Sequence, residues 1–479
     1  MKIINRFLLM FMLLSAGLIT ACSDDDDTPL PVMGVAFQTS AVGISGDATT
    51  ADVTISFSRA TSVENTLLIT VSDNGVVAGQ DYSISPAITG NTLQMTIPAG
   101  SESASLTVTR LADIIAPGSN VTLTITSIDG EPESQIAGNT SITVNFEAIA
   151  SPGSNIVAQI GGGTEPNQVF IDLSLNNQTT AERVSWDLGF FNGSEDKVIL
   201  NYSTYTMAQA IDKTDINSIT PEDTLGFSAT MRIGTAGAHI FVDNPDRDLD
   251  KLAIDDISSN DADNKVYIIN RGGGPGAIDP EPGSVDVGST PRGWKKIRIL
   301  KDGSDYVIQY ADLDATTFNE TRISKNSDFN FNYFSFENGA DISVEPKKDQ
   351  WDFVFSVSSN IINFGGGDGA YGFSDFVLSN RSGGTQVAAV VLDRDEEGEI
   401  LPGQTSYDDF DSDDLGTVEF SENGNTIGSS WRSVFSRTAH NYAYFIVKDS
   451  EGNNYKVQFL GLLNESGERG NSSFKYELL

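Results

Sequence analysis

Trp186-Asp187-Leu188-Gly189-Phe190-Phe191 and Trp351-Asp352-Phe353-Val354-Phe355 begin with the same Trp-Asp pair, 165 residues apart. Each follows, by about 16 residues, an apolar tract: Val169-Phe170-Ile171-Asp172-Leu173-Ser174 and Asn332-Tyr333-Phe334-Ser335-Phe336. Each precedes a closing hairpin. Ile297 to Gly303 leads into Tyr306-Val307-Ile308-Gln309-Tyr310, and Phe445 to Asp449 leads into Tyr455-Lys456-Val457-Gln458-Phe459. Two alternating runs around a Gly/Asp/Asn turn are a hairpin signal. The spacing predicts an internal repeat of β-rich modules, 165–325 and 330–479, with insertions in the first. Trp186 and Trp294 match Trp351 and Trp431 in place, which makes them structural anchors in cores, not exposed stacking platforms.

Upstream, period-two alternation recurs in Ala51 to Phe57, Leu67 to Val71, Leu93 to Ile97, Ala104 to Thr109, Val121 to Ile125 and Ser141 to Phe146. Thr- and Val-rich strands broken by Gly, Pro, Asn and Asp at short spacing predict a β-sandwich over 33–148. Ser151-Pro152-Gly153-Ser154 and Gly161-Gly162-Gly163 then read as a linker. The expected fold class is mainly β: an N-terminal sandwich followed by two β-rich modules.

These patterns carry two resemblances. Gly79-Gln80-Asp81-Tyr82 and Ile97-Pro98-Ala99-Gly100 make the N-terminal part similar to a Calx-beta sandwich. Calcium-binding members of that group carry acidic clusters in the loop corresponding to Leu111–Gly118. Here the loop holds one carboxylate, Asp113, and six to eight oxygens are needed, so no calcium is expected there. The Trp-Asp-x-x-Phe strand, the turn Asn363-Phe364-Gly365-Gly366-Gly367-Asp368-Gly369, the Tyr455–Phe459 ending and the tail Gly467-Glu468-Arg469-Gly470 resemble the HmuY family of Bacteroidetes lipoproteins. The resemblance covers most of 165–479. It implies residence on the cell surface and capture of haem, directly or from a host haemoprotein, with an outer-membrane receptor as a further partner.

Haem iron takes axial ligands from His, Met, Cys or Tyr. The chain has two histidines and seven methionines. Members that bind haem place a His or Met pair after the Trp-Asp strand. The first module holds Met207, Met231 and His239 in that segment, and the second holds neither residue type between Trp351 and Trp431. Met207 and His239 are therefore the candidate cofactor-binding pair, on segment position alone. The competing structural expectation is Met207 as core filler and His239 as a loop residue. His440 lies just before the last hairpin, as a turn residue.

The first residues set the address. Lys2 and Arg6, the apolar run Phe7 to Leu14 and the small residues Ser15-Ala16-Gly17 form a secretory signal over 1–21, too short to span a bilayer. Leu18-Ile19-Thr20-Ala21-Cys22 resembles a bacterial lipobox, with Cys22 as the lipid attachment site. Ser23-Asp24-Asp25-Asp26-Asp27 resembles the acidic export tag of Bacteroidetes surface lipoproteins, within a tether over 22–32. The expected location is the outer membrane, lipid-anchored and facing outward. Cys22 is the single cysteine, which excludes internal disulfides and cysteine-based metal or nucleophile chemistry.

A net charge of -37 argues against nucleic acid as a partner, since phosphate contacts need clustered Lys and Arg. The acidic stretches 243–263, 393–399 and 407–414 read as solvated loops. The Gly-rich runs at 272–274 and 365–367 lack a following Lys-Ser/Thr and are turns, not phosphate loops. No Gly-x-Ser-x-Gly elbow occurs, and an enzyme is not expected. Two functions stand at this point: a surface haem-binding protein, or an adhesin for glycan or protein that keeps the scaffold without haem.

Overall fold

Val53, Ile55 and Phe57 alternate with Asp52, Thr54 and Ser56, and in a computed structural model of the chain the first set is buried. The structure describes residues 32–44, 49–112, 115, 118–146 and 150–479. The signal segment, Cys22 and the acidic run after it lie outside those residues, as does Asp113. No described helix is long and apolar enough to cross a membrane.

The chain is mainly β. Two five-stranded sheets form the N-terminal sandwich. One runs β5 (Tyr82–Ser85), β7 (Ser103–Arg110), β3 (Thr50–Phe57), β1 (Met33–Phe37), β9 (Ser134–Ile136). The other runs β2 (Ala41–Gly43), β10 (Ser141–Asn145), β8 (Asn120–Asp129), β4 (Asn65–Asn74), β6 (Thr92–Ile97). Their inward residues, Val53, Leu67, Leu106 and Leu123 among them, share one core.

Four larger sheets follow. The first is β11 (Gly153–Val157), β32 (Ser473–Leu478), β31 (Asn454–Gly461), β30 (Ala443–Lys448), β27 (Gln386–Val391). The second is β13 (Asn177–Glu182), β12 (Asn167–Asp172), β25 (Phe353–Asn363), β26 (Asp368–Ser379). The third is β15 (Val198–Leu200), β14 (Leu188–Phe191), β23 (Phe331–Ser335), β24 (Ala340–Ile342). The fourth is β16 (Met207–Ile211), β17 (Val266–Asn270), β20 (Trp294–Asp302), β21 (Asp305–Asp312), β22 (Asn319–Ile323). Two short ribbons, β18–β19 (Gly273–Gly274, Thr290–Pro291) and β28–β29 (Arg432–Ser433, Thr438–Ala439), complete the strands.

The four sheets stack as layers with three cores between them. Ile156, Phe445 and Phe459 of the first meet Val169, Ile171, Phe353 and Phe355 of the second. Phe170 and Val354, on the other face of the second, meet Ile199, Phe331 and Tyr333 of the third. Leu188, Phe190 and Phe334 then face Ile269, Ile297 and Ile308 of the fourth. The two middle sheets are covered on both faces, which explains why the strands at 169–171 and 353–355 are continuously apolar and not alternating.

The tracts 165–325 and 330–479 do not close separately. β12 pairs with β25, setting Val169 opposite Phe355 and Ile171 opposite Phe353. β14 pairs with β23, setting Leu188 opposite Phe334. Each tract's opening strand thus pairs with the Trp-Asp strand of the other. The two pairs sit in matching frames. Asp187 N donates to Phe334 O (2.8 Å), and Asp352 N to Ile171 O (2.7 Å). Asn201 Nδ2 caps Trp186 O (2.7 Å), and Asn380 Nδ2 caps Trp351 O (2.9 Å). Trp186, Trp351 and Trp431 are buried, and Trp294 is half-buried.

Candidate functional site

Gly-rich sequence at 363–369 lets β25 turn tightly into β26. Asn363 Oδ1 accepts from Gly365 N (2.8 Å), and Phe364 N donates to Gly367 O (3.0 Å). The Phe364 ring folds back over Gly369, where a Cβ would collide with it. Phe364 and Tyr371 are exposed, with ring centroids 6.2 Å apart, and Tyr371 in turn meets Phe373 at 5.3 Å.

The segment after β16 lies against this hairpin. Gly234 N donates to Ala370 O (2.8 Å) and Gly237 N to Asp368 O (2.7 Å). Gly237, at φ +87°, starts a 3₁₀ turn over Ala238–Phe241, which carries His239. His239 Nδ1 lies 2.8 Å from Asp368 O. A carbonyl only accepts, so Nδ1 carries the proton, and Nε2 of the neutral ring keeps its lone pair. Ile240, beside it, is 64% exposed. The result is a half-buried imidazole at a tip that also bears the exposed side chains of Ile240, Phe364 and Tyr371.

Met207 sits directly beneath. It is fully buried, packed with Met231, Ala238, Phe241 and Ala370. The structure therefore brings Met207 to the turn that carries His239, but its thioether supports the underside while the imidazole lies against the hairpin. The turn Ala238–Phe241 covers the Met207 thioether. His440 stands elsewhere, before β30, with its ring 4.6 Å from Tyr442. Burial and the nearby Arg394 lower its pKa.

The acidic stretches are mostly occupied by their own backbone. Asp395 Oδ1 accepts from Glu397 N and Glu399 N, and Asp411 and Asp414 cap a 3₁₀ turn. Lys251 Nζ lies 2.7 Å from Asp246 and 3.1 Å from Asp248, so a fixed ammonium holds that loop. A separate open cleft of about 540 Å³ lies between the edge strand β13 and residues 343–350. Thr179, Thr180, Ser185 and Gln350 line it beside Phe329. Glu345 forms its floor. Burial raises that carboxyl to about 7, against hydrogen bonds from Phe331 N and Tyr333 Oη. Sequence reasoning missed this cleft, because neither wall is a contiguous motif.

The HmuY protein family model matches residues 164–476. The chain belongs to the HmuY family. Members are binding proteins, not enzymes, and the match takes in the four layered sheets apart from β11 and the last residues of β32. No curated protein matches the chain. Solved structures show weaker likenesses. The apo Calx CBD1 domain is 10% identical, with 24% of this chain and 99% of that one covered and a TM-score of 0.20. A candidate carbohydrate binding protein from Bacteroides ovatus is 11% identical, with 72% and 97% covered and a TM-score of 0.17.

Proposed function

We propose that this HmuY-family protein is a lipid-anchored, outward-facing binding protein of the outer membrane whose cargo is haem. Cys22 is the lipid site, and His239 offers Nε2 to the iron. One observation carries the haem assignment: the hydrogen bond from His239 Nδ1 to Asp368 O. Metal-binding histidines commonly donate their second ring nitrogen in this way, which fixes the tautomer and the ring orientation. The exposed aromatic and aliphatic side chains at the same tip suit a flat apolar macrocycle. Met207 is the second ligand in this proposal and joins only after the turn opens.

Haemin titration of the chain lacking its signal tests this. A Soret shift that saturates near one equivalent is expected. His239→Ala should abolish it or move its position, and Met207→Ala should change the spectrum less. Absence of any shift, or a shift unchanged in His239→Ala, would refute the assignment. A second reading, an adhesin for glycans, draws on the 540 Å³ cleft, whose hydroxyls and single aromatic face suit a sugar. It predicts that glycan binding, if measured, is lost in Phe329→Ala and kept in His239→Ala.

A further inference from the structure

β13 ends its sheet and pairs only with β12, in an unbroken register from Asn177 opposite Asp172 to Glu182 opposite Asn167. Arg183 N donates to Pro166 O (3.0 Å), which sets the phase of the ladder. Hydrogen-bonded pairs alternate along antiparallel strands. Thr179 and Ala181 therefore turn their backbone groups to β12, while Thr180 and Glu182 turn theirs outward. Glu182 O closes a turn by accepting from Ser185 N (3.0 Å). Thr180 N and O meet no partner among the described residues. Sheet edges are usually blunted by proline, lysine, a bulge or a covering segment. Asn177–Glu182 has no proline or lysine, and its register has no bulge.

The 540 Å³ cleft runs along this open edge. Thr179, Thr180, Ala181 and Glu182 all line it, and side chains of a strand alternate between its faces, so four consecutive residues meet the cleft along the strand's edge. The far wall runs from Ser343 to Lys347, where the chain has left β24. From Ser343 to Pro346 the backbone makes no hydrogen bond among the described residues. Both walls of the slot thus offer free backbone donors and acceptors. Its charges are unbalanced. Glu182 is exposed and Glu345 lies beneath, while Lys347 lies 3.7 Å from Asp328 and is already paired. The net charge of the whole chain, -37, has the same sign.

We propose that this cleft binds an extended, basic segment of a partner polypeptide, which adds as a strand to the open edge of β13. Thr180 N donates to a carbonyl of the segment and Thr180 O accepts one of its N–H groups, the way a free sheet edge takes up a peptide. One face of the added strand meets Phe329, Ala181 and Val344, and its lysines or arginines lie beside Glu182. Residues 179–182 offer roughly 13 Å of edge at about 3.3 Å per residue, enough for four or five residues of the partner. None of the lining residues belongs to the hairpin that holds His239, so the site does not depend on haem. A glycan in the same cleft is recognised by side-chain hydroxyls and Phe329, whereas a strand is recognised by backbone.

The test is fluorescence anisotropy of a dye-labelled peptide that alternates valine with lysine, titrated with the chain lacking its signal. Saturable binding is expected. A fully N-methylated version of the peptide has no N–H groups and should bind at least about tenfold more weakly. A peptide alternating valine with glutamate should also bind at least about tenfold more weakly, through charge. Thr180→Pro removes the outward N–H without breaking a bond to β12, a change that edge strands tolerate. It should weaken the lysine peptide about tenfold and keep the unfolding midpoint. Thr180→Ala keeps the backbone and should bind as the unsubstituted chain does, and so should His239→Ala. No saturable binding of the lysine peptide overturns the proposal. Equal affinity for the N-methylated or the glutamate peptide overturns it too. So does a loss in Thr180→Ala as large as in Thr180→Pro, because the hydroxyl would then be recognised, as in a glycan site.

Discussion

Asp187→Asn and Asp352→Asn alter the same atom in equivalent frames, yet the first should cost far more stability than the second. Asp187 is fully buried and accepts from Arg271 Nε (2.8 Å) and Nη2 (3.2 Å), Arg292 Nη2 (2.9 Å) and Phe336 N (2.9 Å). Both guanidinium groups are less than a tenth exposed. Removing the charge leaves two buried cations without a buried anion and turns an amide N–H towards one of them. Breaking a buried pair in this way costs about 3–5 kcal/mol. Asp352 loses far less. An asparagine Oδ1 still accepts from Leu173 N, and the like charge of Asp172 is no longer opposed. The change should lie within about 1 kcal/mol of zero, with the gain appearing at neutral pH. Urea unfolding followed by tryptophan fluorescence measures both, since all four tryptophans lie between 186 and 431 and the N-terminal sandwich is silent. Equal losses for the two variants, or a larger loss for Asp352→Asn, would refute the electrostatic contrast between the frames.

Residues 150–326 expressed alone should stay unfolded by circular dichroism, because β12 and β14 lose β25 and β23. Mixing with 327–479 should restore strand signal. Gly272 has φ +65°, and a Cβ there would strike Thr204 O, a buried backbone atom, so Gly272→Ala should cost more than about 2 kcal/mol in the same urea assay. In the N-terminal sandwich, burial would raise the Glu131 carboxyl, but hydrogen bonds from Ser62 and the Arg59 guanidinium outweigh it and hold the pKa near 2. A folded pKa below the unfolded one gives stability that is present above about 4.5 and lost as the pH falls towards 2. Calorimetry should show the acid limb of the sandwich transition moving to higher pH in Arg59→Ala.

The strands were legible in the order of residues alone, because a half-buried strand writes its core face into every second residue, as at Val53, Ile55 and Phe57. That order pointed to all four tryptophans as core anchors, of which Trp186, Trp351 and Trp431 are buried and Trp294 is half-buried, and to a turn at the glycines of 365–367. It pointed to the segment containing Met207 and His239 through family resemblance. Which strand lies beside which emerges from the folded sheets. Backbone hydrogen bonds carry no residue identity, so nothing in Val169-Phe170-Ile171 says that its partner is β25, in the other tract. The same crossing places Asp172 next to Asp352, 180 residues away in sequence. It also decides the two ligand candidates differently. Met207 is covered because the turn from Ala238 to Phe241 folds onto it, whereas His239 stays half-buried because Asp368 O, on a distant hairpin, holds its ring.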